Sequence, residues 1–447
     1  MEYIPQIIFA LLLVVGIGYF ASNIRKMIRN IKLGREVDRS DNKKERWAQM
    51  ARIALGQSKM VRRPVAGFLH IVVYVGFVII NIEVLEIIID GLLGTHRIFA
   101  PYLGGVYDFL IGTFEILALL VLITVVAFWI RRNAMNIKRF TMGELKGWPK
   151  NDANYILYFE VVLMSLFLIM NATDFILQTR GVEGYAHAGE ILGSFPVSQF
   201  VAIPFETMAD SALIIIERAA WWLHIIGILI FLNYLYWSKH LHIMLAFPNV
   251  YFAKLTPKGQ FTNMEAVTKE VKLMMDPDAD PFAAPDPAAV EEDPATLGAS
   301  DIFDLDRVQL LNAYTCTECG RCTSECPANI TGKKLSPRAI MMKTRDRLEE
   351  VGAVINKEGT WKDDGKTLLN DHITTEELWA CTSCNACVEA CPIGIDPLSI
   401  IMDMRRYLVL ENSAAPTDLN NALTNIENNG APWPYNQQDR LNWADEF

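Results

Sequence analysis

Outside two twelve-residue stretches, the 447-residue sequence contains no cysteine. All 8 lie in CTECGRCTSECP (316–327) and CTSCNACVEACP (381–392), so none remains for a disulfide elsewhere, and the usage fits a reducing compartment. Other absences narrow the function. There is no Gly-rich phosphate loop, serine nucleophile elbow or HExxH motif, which leaves no visible hydrolytic or nucleotide chemistry. No basic, aromatic-interleaved patch is present to track a phosphate backbone, so nucleic acid is not an expected partner. The first apolar run is preceded by Glu2 and by no Lys or Arg. It lacks the basic start of a secretory leader and is expected to stay as an anchor.

What is abundant is apolar surface. Hydrophobic residues make up 51% of the chain, high for a purely soluble protein. Five long apolar runs stand at about 4–24, 66–89, 106–130, 154–177 and 219–238. Each is close to the ~20 residues a helix needs to cross a bilayer. Thirteen Lys or Arg fall between the first two runs, from Arg25 to Arg63, and six more between the third and fourth, from Arg131 to Lys150. The alternate loops carry Arg97 and Arg180. The positive-inside rule then puts the N-terminus outside and everything after the fifth run in the cytoplasm, for a multi-pass protein of the inner (cytoplasmic) membrane.

Beyond the membrane part (1–250) the chain changes character. Residues 250–275 read as a short amphipathic connection, and 276–298 hold five prolines and seven acids with no base. Such a stretch cannot fold alone and is expected to be an extended tether or strap, within a linker over 251–300. A cysteine domain is expected over 301–415, with a tail over 416–447.

Each cysteine phrase has the form Cys-x2-Cys-x2-Cys-x3-Cys-Pro. Three thiolates on one tight loop can hold three irons of a cubane, and in bacterial two-cluster ferredoxins the fourth cysteine serves the other cluster. The expected sets are Cys316, Cys319, Cys322 with Cys391, and Cys381, Cys384, Cys387 with Cys326. Structural zinc usually pairs two Cys-x2–4-Cys knuckles and has no use for a third cysteine three residues on. Between the repeats lie 54 residues, including a helical pattern at 335–352 with Pro337 at its start and Gly352 after its end. Residues 395–412 read as a second helix, so the domain is a mainly helical ferredoxin.

A wire of two clusters needs terminals. His70 falls about six residues into the second run, ~9 Å deep. His224 lies in the fifth run, and His240 and His242 close it in YWSKHLHIM. Ionisable residues inside spans are functional candidates, and haem iron is often held by histidine. Among the intramembrane acids Glu115 is the candidate proton relay, with Glu160 and Asp174 also within the runs and Glu83, Glu86 and Asp90 toward the outer end of the second. Pairing with Arg or exposure at the interface is the expected state of Asp90 and Asp174.

Five spans, histidines on spans two and five and the phrase SKHLH resemble the cytochrome b subunit of respiratory nitrate reductase and its relatives in membrane heterodisulfide reductases, over about residues 1–250. The resemblance implies a five-helix bundle with b haem held between spans two and five, and a quinol site toward the outside. His70 and His242 match one haem's ligands. His224 matches half of a second pair, but Ile80 and Asn81 stand where its partner would fall, leaving His96 or His187 to fold back. Residues 305–447 resemble the iron–sulfur segment of heterodisulfide reductase and glycolate oxidase iron–sulfur subunits through YTCTECGRCTSECP, KKLSPR, WACTSCNACVEACPIGID and DMRRYLV. The implied function is a membrane-bound oxidoreductase subunit passing electrons between a cytoplasmic partner and the quinone pool. A heterodisulfide or sulfur-compound reductase module, or a haem-free anchor for an iron–sulfur protein, are the alternatives. The implied partners are a protein with cysteine-rich CCG domains, which the sequence does not show before Phe447, and a flavoprotein donor. Trp433, Pro434, Tyr435 and Trp443 in the tail are the aromatic anchors such docking would use.

Overall fold

The computed structural model describes residues 3–185, 191–257, 259–277 and 296–445. His187 and most of the acidic, proline-rich stretch lie outside the described residues. Five helices are long and apolar enough to cross a membrane: α1 (Ile4–Ile31), α2 (Pro64–Leu93), α3 (Gly105–Asn133), α4 (Trp148–Thr179) and α5 (Asp210–Tyr234). They coincide with the five apolar runs but are longer, because polar residues at each end continue the helical hydrogen bonds beyond the apolar segment. Proline at the first turn of α1, α2 and α4 suits a position whose N–H has no helical partner anyway. Much apolar surface on these helices faces outward, including Ile7, Leu11, Val14, Phe68 and Phe109. The chain is a membrane protein, mainly α, with no β-strand among the described residues.

A group of polar residues inside the bundle is engaged around Arg97. Arg97, from a loop, is buried and donates to Asp174 Oδ2 at 2.7 Å, Tyr107 Oη at 3.0 Å and Asn171 Oδ1 at 3.1 Å. Asp90 accepts from the backbone N–H of Arg97 and Ile98. Both aspartates are thus partnered in the way their surroundings require.

After α5 the chain leaves the helix at Ser238, whose Oγ accepts from His240 N–H, and starts again as α6 (His242–Tyr251). The cysteine-bearing part is built on α7 (Arg307–Thr315), α8 (Pro337–Glu358) and α9 (Pro397–Leu410). Side-chain caps start each one: Asp306 accepts from Gln309 N–H, Ser336 from Ala339 N–H and Asp396 from Ser399 N–H. The helix expected to end before Gly352 runs on to Glu358. Gly352 serves packing instead: a Cβ there would come within 2.3 Å of Asn30 Nδ2.

That contact belongs to a seam between the two parts. Asn30 at the end of α1 donates to Tyr314 Oη at 3.0 Å, and Arg29 donates to Asn356 Oδ1 at 2.8 Å and to the Gly352 carbonyl at 3.1 Å. Arg35 and Asp306 form a β-bridge. One cluster of buried side chains continues from Phe9 in α1 to Leu408 in α9.

Within the cysteine-bearing part, Arg347 is fully buried and binds Asp301, Asp364 and the Lys366 carbonyl. Removing one partner of a buried ion pair leaves an uncompensated charge. Arg347→Met is expected to cost about 3–5 kcal/mol, read as a lower denaturation midpoint. A shift no larger than that of the exposed Lys357→Met would show that these pairs contribute little.

Candidate functional site

The two cysteine loops share a backbone signature. Glu318 and Ser383, at the third position of each phrase, have φ of +55° and +58°, and Gly320 and Asn385, at the fifth, have +72° and +59°. Left-handed residues alternating with right-handed ones turn successive N–H groups into one concavity, an arrangement that suits anions and iron–sulfur groups. At position 320 glycine suits the positive φ, and a Cβ there would meet Arg338 Nη1 at 2.5 Å and force that guanidinium to shift.

One cavity is lined by Cys316, Cys319, Cys322 and, from the other repeat, Cys391. Burial pushes the Cys316 thiol up to about 12 and the neighbouring carboxylate and thiolate add to it. Cys391 is raised by burial and then by Cys319. In the second set, Cys387 is pushed up to about 12 by burial, then by Asp396, Cys381 and Cys326. Cys326 therefore stands within electrostatic reach of the second loop, and Cys391 of the first. Thiols of this kind become thiolates only when a cation compensates them. Among the described residues no three His, Cys, Asp or Glu side chains form a single-ion site.

The first cavity has a basic wall. Arg321 and Arg338 line it, and Arg139 packs beside Gly320. Arg338 pairs with Glu144 at 2.7 Å. Arg321 instead donates to the carbonyls of Lys59 and Met60 and to Met60 Sδ, and Arg139 leaves Nε and Nη1 without a partner. Burial and then the nearby Arg63 pull Arg139 down to about 10. Around the second loop Arg405 lies over Trp379 and donates to the Cys381 carbonyl, and Arg62 pairs with Glu389. Cys384 on that loop is exposed.

Glu318, between Cys316 and Cys319, is buried at 3% exposure and pairs with Arg345 at 2.8 Å and with Lys239. Lys239 is the residue before His240, and its carbonyl faces His242 Nδ1 at 3.2 Å. The rings of His242 and His70 stand 6.4 Å apart, inclined by 47°. His70 Nδ1 is buried without a partner. His240 lies 5.4 Å from His242, and burial lowers it to about 3, so its imidazole is neutral. His224 is elsewhere in the bundle, against Phe167 at 6.0 Å, with Nδ1 unpartnered. His96 does not fold back to it; it pairs with Asp174 at 3.1 Å.

Glu115 accepts from Asn171 Nδ2 and from the N–H groups of Val197 and Ser198, so both its oxygens are committed. Glu83 is different: it is buried, its Oε2 has no partner, and with Glu86 and Tyr107 it lines a cavity of about 480 Å³ among apolar residues. Trp433 and Trp443 in the tail are exposed. Glu318, Lys239, Arg321 and Arg139 were not singled out by the sequence; an acid inside a ligand loop was the one local signal.

Residues 315–395 match the 4Fe-4S dicluster domain family. Over 98% of its length the chain is 29% identical to the probable iron-sulfur-binding oxidoreductase FadF of Bacillus subtilis, covering 61% of that protein. Over 92% it is 25% identical to the EtfAB:quinone oxidoreductase of Syntrophomonas wolfei, covering 55% of it. A probable membrane-anchored ferredoxin of Chromohalobacter salexigens is 33% identical over 34% of the chain and 24% of its own length. The chain thus spans less than two thirds of the first two relatives. No solved structure matches. The chain is similar to iron–sulfur oxidoreductases over most of its length, and its segment matching the dicluster family follows five helices of membrane-spanning length.

Proposed function

We propose that this chain carries electrons between a cytoplasmic redox partner and the quinone pool, using two [4Fe–4S] clusters and one b-type haem. The observation that carries the reading is the Glu318–Lys239 ion pair, which joins the four-cysteine cavity to the turn bearing His242.

Cys316, Cys319, Cys322 and Cys391 would hold one cluster and Cys326, Cys381, Cys384 and Cys387 the other. The paired loop conformations support this, and so do the two guanidiniums without a carboxylate, which call for an anionic occupant. His70 and His242 would hold the haem iron; their rings face one another at 6.4 Å, which leaves room for a metal bound by both imidazoles. A backbone carbonyl at His242 Nδ1 fixes the tautomer that offers Nε2 to a metal. When bound, these groups supply one-electron carriers. The chain's own residues keep the carriers at fixed separation and shield them from water. His224 would serve a second haem only with a ligand other than histidine, since among the described residues no second imidazole packs on it.

The cavity with Glu83 suits a quinone head group, with Glu83 exchanging the proton. The basic loops support a cytoplasmic side for the dicluster part. The name EtfAB:quinone oxidoreductase favours an EtfAB-like flavoprotein donor and a quinone acceptor, and a CCG-domain protein docking near the aromatic tail remains our proposed redox neighbour. Purified anaerobically, the protein is expected to contain about eight non-haem irons and to give a b-type pyridine haemochrome. Stoichiometric zinc without iron would remove the cluster assignment, and clusters without a haemochrome would favour the haem-free anchor.

A further inference from the structure

We propose that the site of Cys316, Cys319, Cys322 and Cys391 is poised at a higher reduction potential than the site of Cys326, Cys381, Cys384 and Cys387, so that electrons enter at the exposed second loop and fall toward the His70–His242 pair. This direction rests on the two-cluster reading above. It follows from the unequal charge of the two surroundings.

Reducing a four-cysteine cluster adds a negative charge to a group that is already anionic, so nearby cations favour the reduced state. At the first site Arg321, Arg338, Arg139, Arg345 and Lys239 face four carboxylates, Glu144, Glu318, Asp152 and Asp346, which pair with Arg338, Arg345 and Lys239. Two of those cations, Arg321 and Arg139, have their charge uncompensated by any carboxylate among the described residues. At the second site Arg62 pairs with Glu389, Arg63 with Glu325 and Lys254 with Asp396 at 3.5 Å, close to Cys387, which leaves Arg405, bound to the Leu378 and Cys381 carbonyls, as the one guanidinium there without a carboxylate among the described residues. Water at exposed Cys384 also favours reduction there, which opposes the ordering. The guanidiniums outweigh it because they are fixed full charges in a poorly screened interior, whereas water at a partly exposed loop only screens.

Position agrees with polarity. Glu318 of the first loop pairs with Lys239, whose carbonyl faces His242 Nδ1 at 3.2 Å, so the first site adjoins the histidine turn, whereas the second loop carries the exposed Cys384. A reduced flavoprotein or iron–sulfur donor would give one electron to the second site. The transfer then oxidises that site by one unit, reduces the first by one and needs no proton.

The test is potentiometric EPR on the full chain. The signal lost in Cys319→Ser is expected to have the higher midpoint in the unmodified protein. Arg321→Met should lower that midpoint by at least a tenfold change in the reduced-to-oxidised ratio, about 59 mV for one electron. It should leave the other signal unmoved, and Arg321→Lys should restore most of the shift. Arg139→Gln, whose guanidinium makes fewer bonds, gives a second measurement if Arg321→Met loses its cluster. Two clusters present, with the Cys319-dependent one at the lower midpoint or unmoved by either charge removal, would overturn the inference while leaving the two-cluster reading intact. Absence of two clusters would instead sink that reading.

Discussion

Cys391→Ser is expected to abolish the same cluster signal as Cys319→Ser, although 71 positions and a change of repeat separate them. Cys391 lines the first cavity with Cys316, Cys319 and Cys322, and burial together with Cys319 raises its thiol. A serine there offers no soft ligand, and the remaining three thiolates lose the fourth corner. Iron content should fall from about eight toward about four per chain, with the second signal retained. The reciprocal substitution, Cys326→Ser, should act on the signal that depends on Cys381. If Cys391→Ser behaved instead like Cys381→Ser, each repeat would hold its own cluster and the crossed assignment would fail.

Substituting either member of the histidine pair should be equally drastic at the other end of the wire. His70→Ala or His242→Ala is expected to remove the b-type absorbance and leave the non-haem iron unchanged, because the rings face one another at 6.4 Å and neither contributes to the cysteine loops. His240→Ala, whose ring stands nearly perpendicular to that of His242 at 85°, should keep the spectrum. Full haem absorbance in both the His70 and His242 variants would show that the pair does not hold the haem.

Much of the architecture was legible because it rests on local quantities. Length and apolarity define five spanning helices, and the spacing of two cysteine phrases defines a dicluster domain. What was not legible depends on partners distant in sequence. Gly352 looked like a helix end because glycine commonly follows one, yet its role is set by Asn30, on a helix from the far end of the chain. Arg97 looked like a loop charge, but Asp174 and Tyr107 draw it into the bundle. Glu115 reads as a relay because it is an acid inside a span, and its hydrogen bonds from Asn171 and from the backbone N–H groups of 197 and 198 are contacts that no local pattern announces. The unpartnered acid, Glu83, differs from it by nothing in the sequence. Nor does any motif announce that an acid between two cysteines meets the lysine beside a histidine turn.

The seam at the end of α1 bears on how fast such a protein can work. Asn30, Arg29 and the bridge between Arg35 and Asp306 clamp the cysteine-bearing part onto the membrane helices at several points. A carrier clamped in this way does not commute between stations. Each electron crosses intervals set once, at folding, and the rate of those crossings is indifferent to solvent viscosity and to the length of chain joining 275 to 301. On the proposed reading the arrival of a soluble donor would be the one diffusional event, so crowding or ionic strength would govern entry and leave the inner transfers untouched.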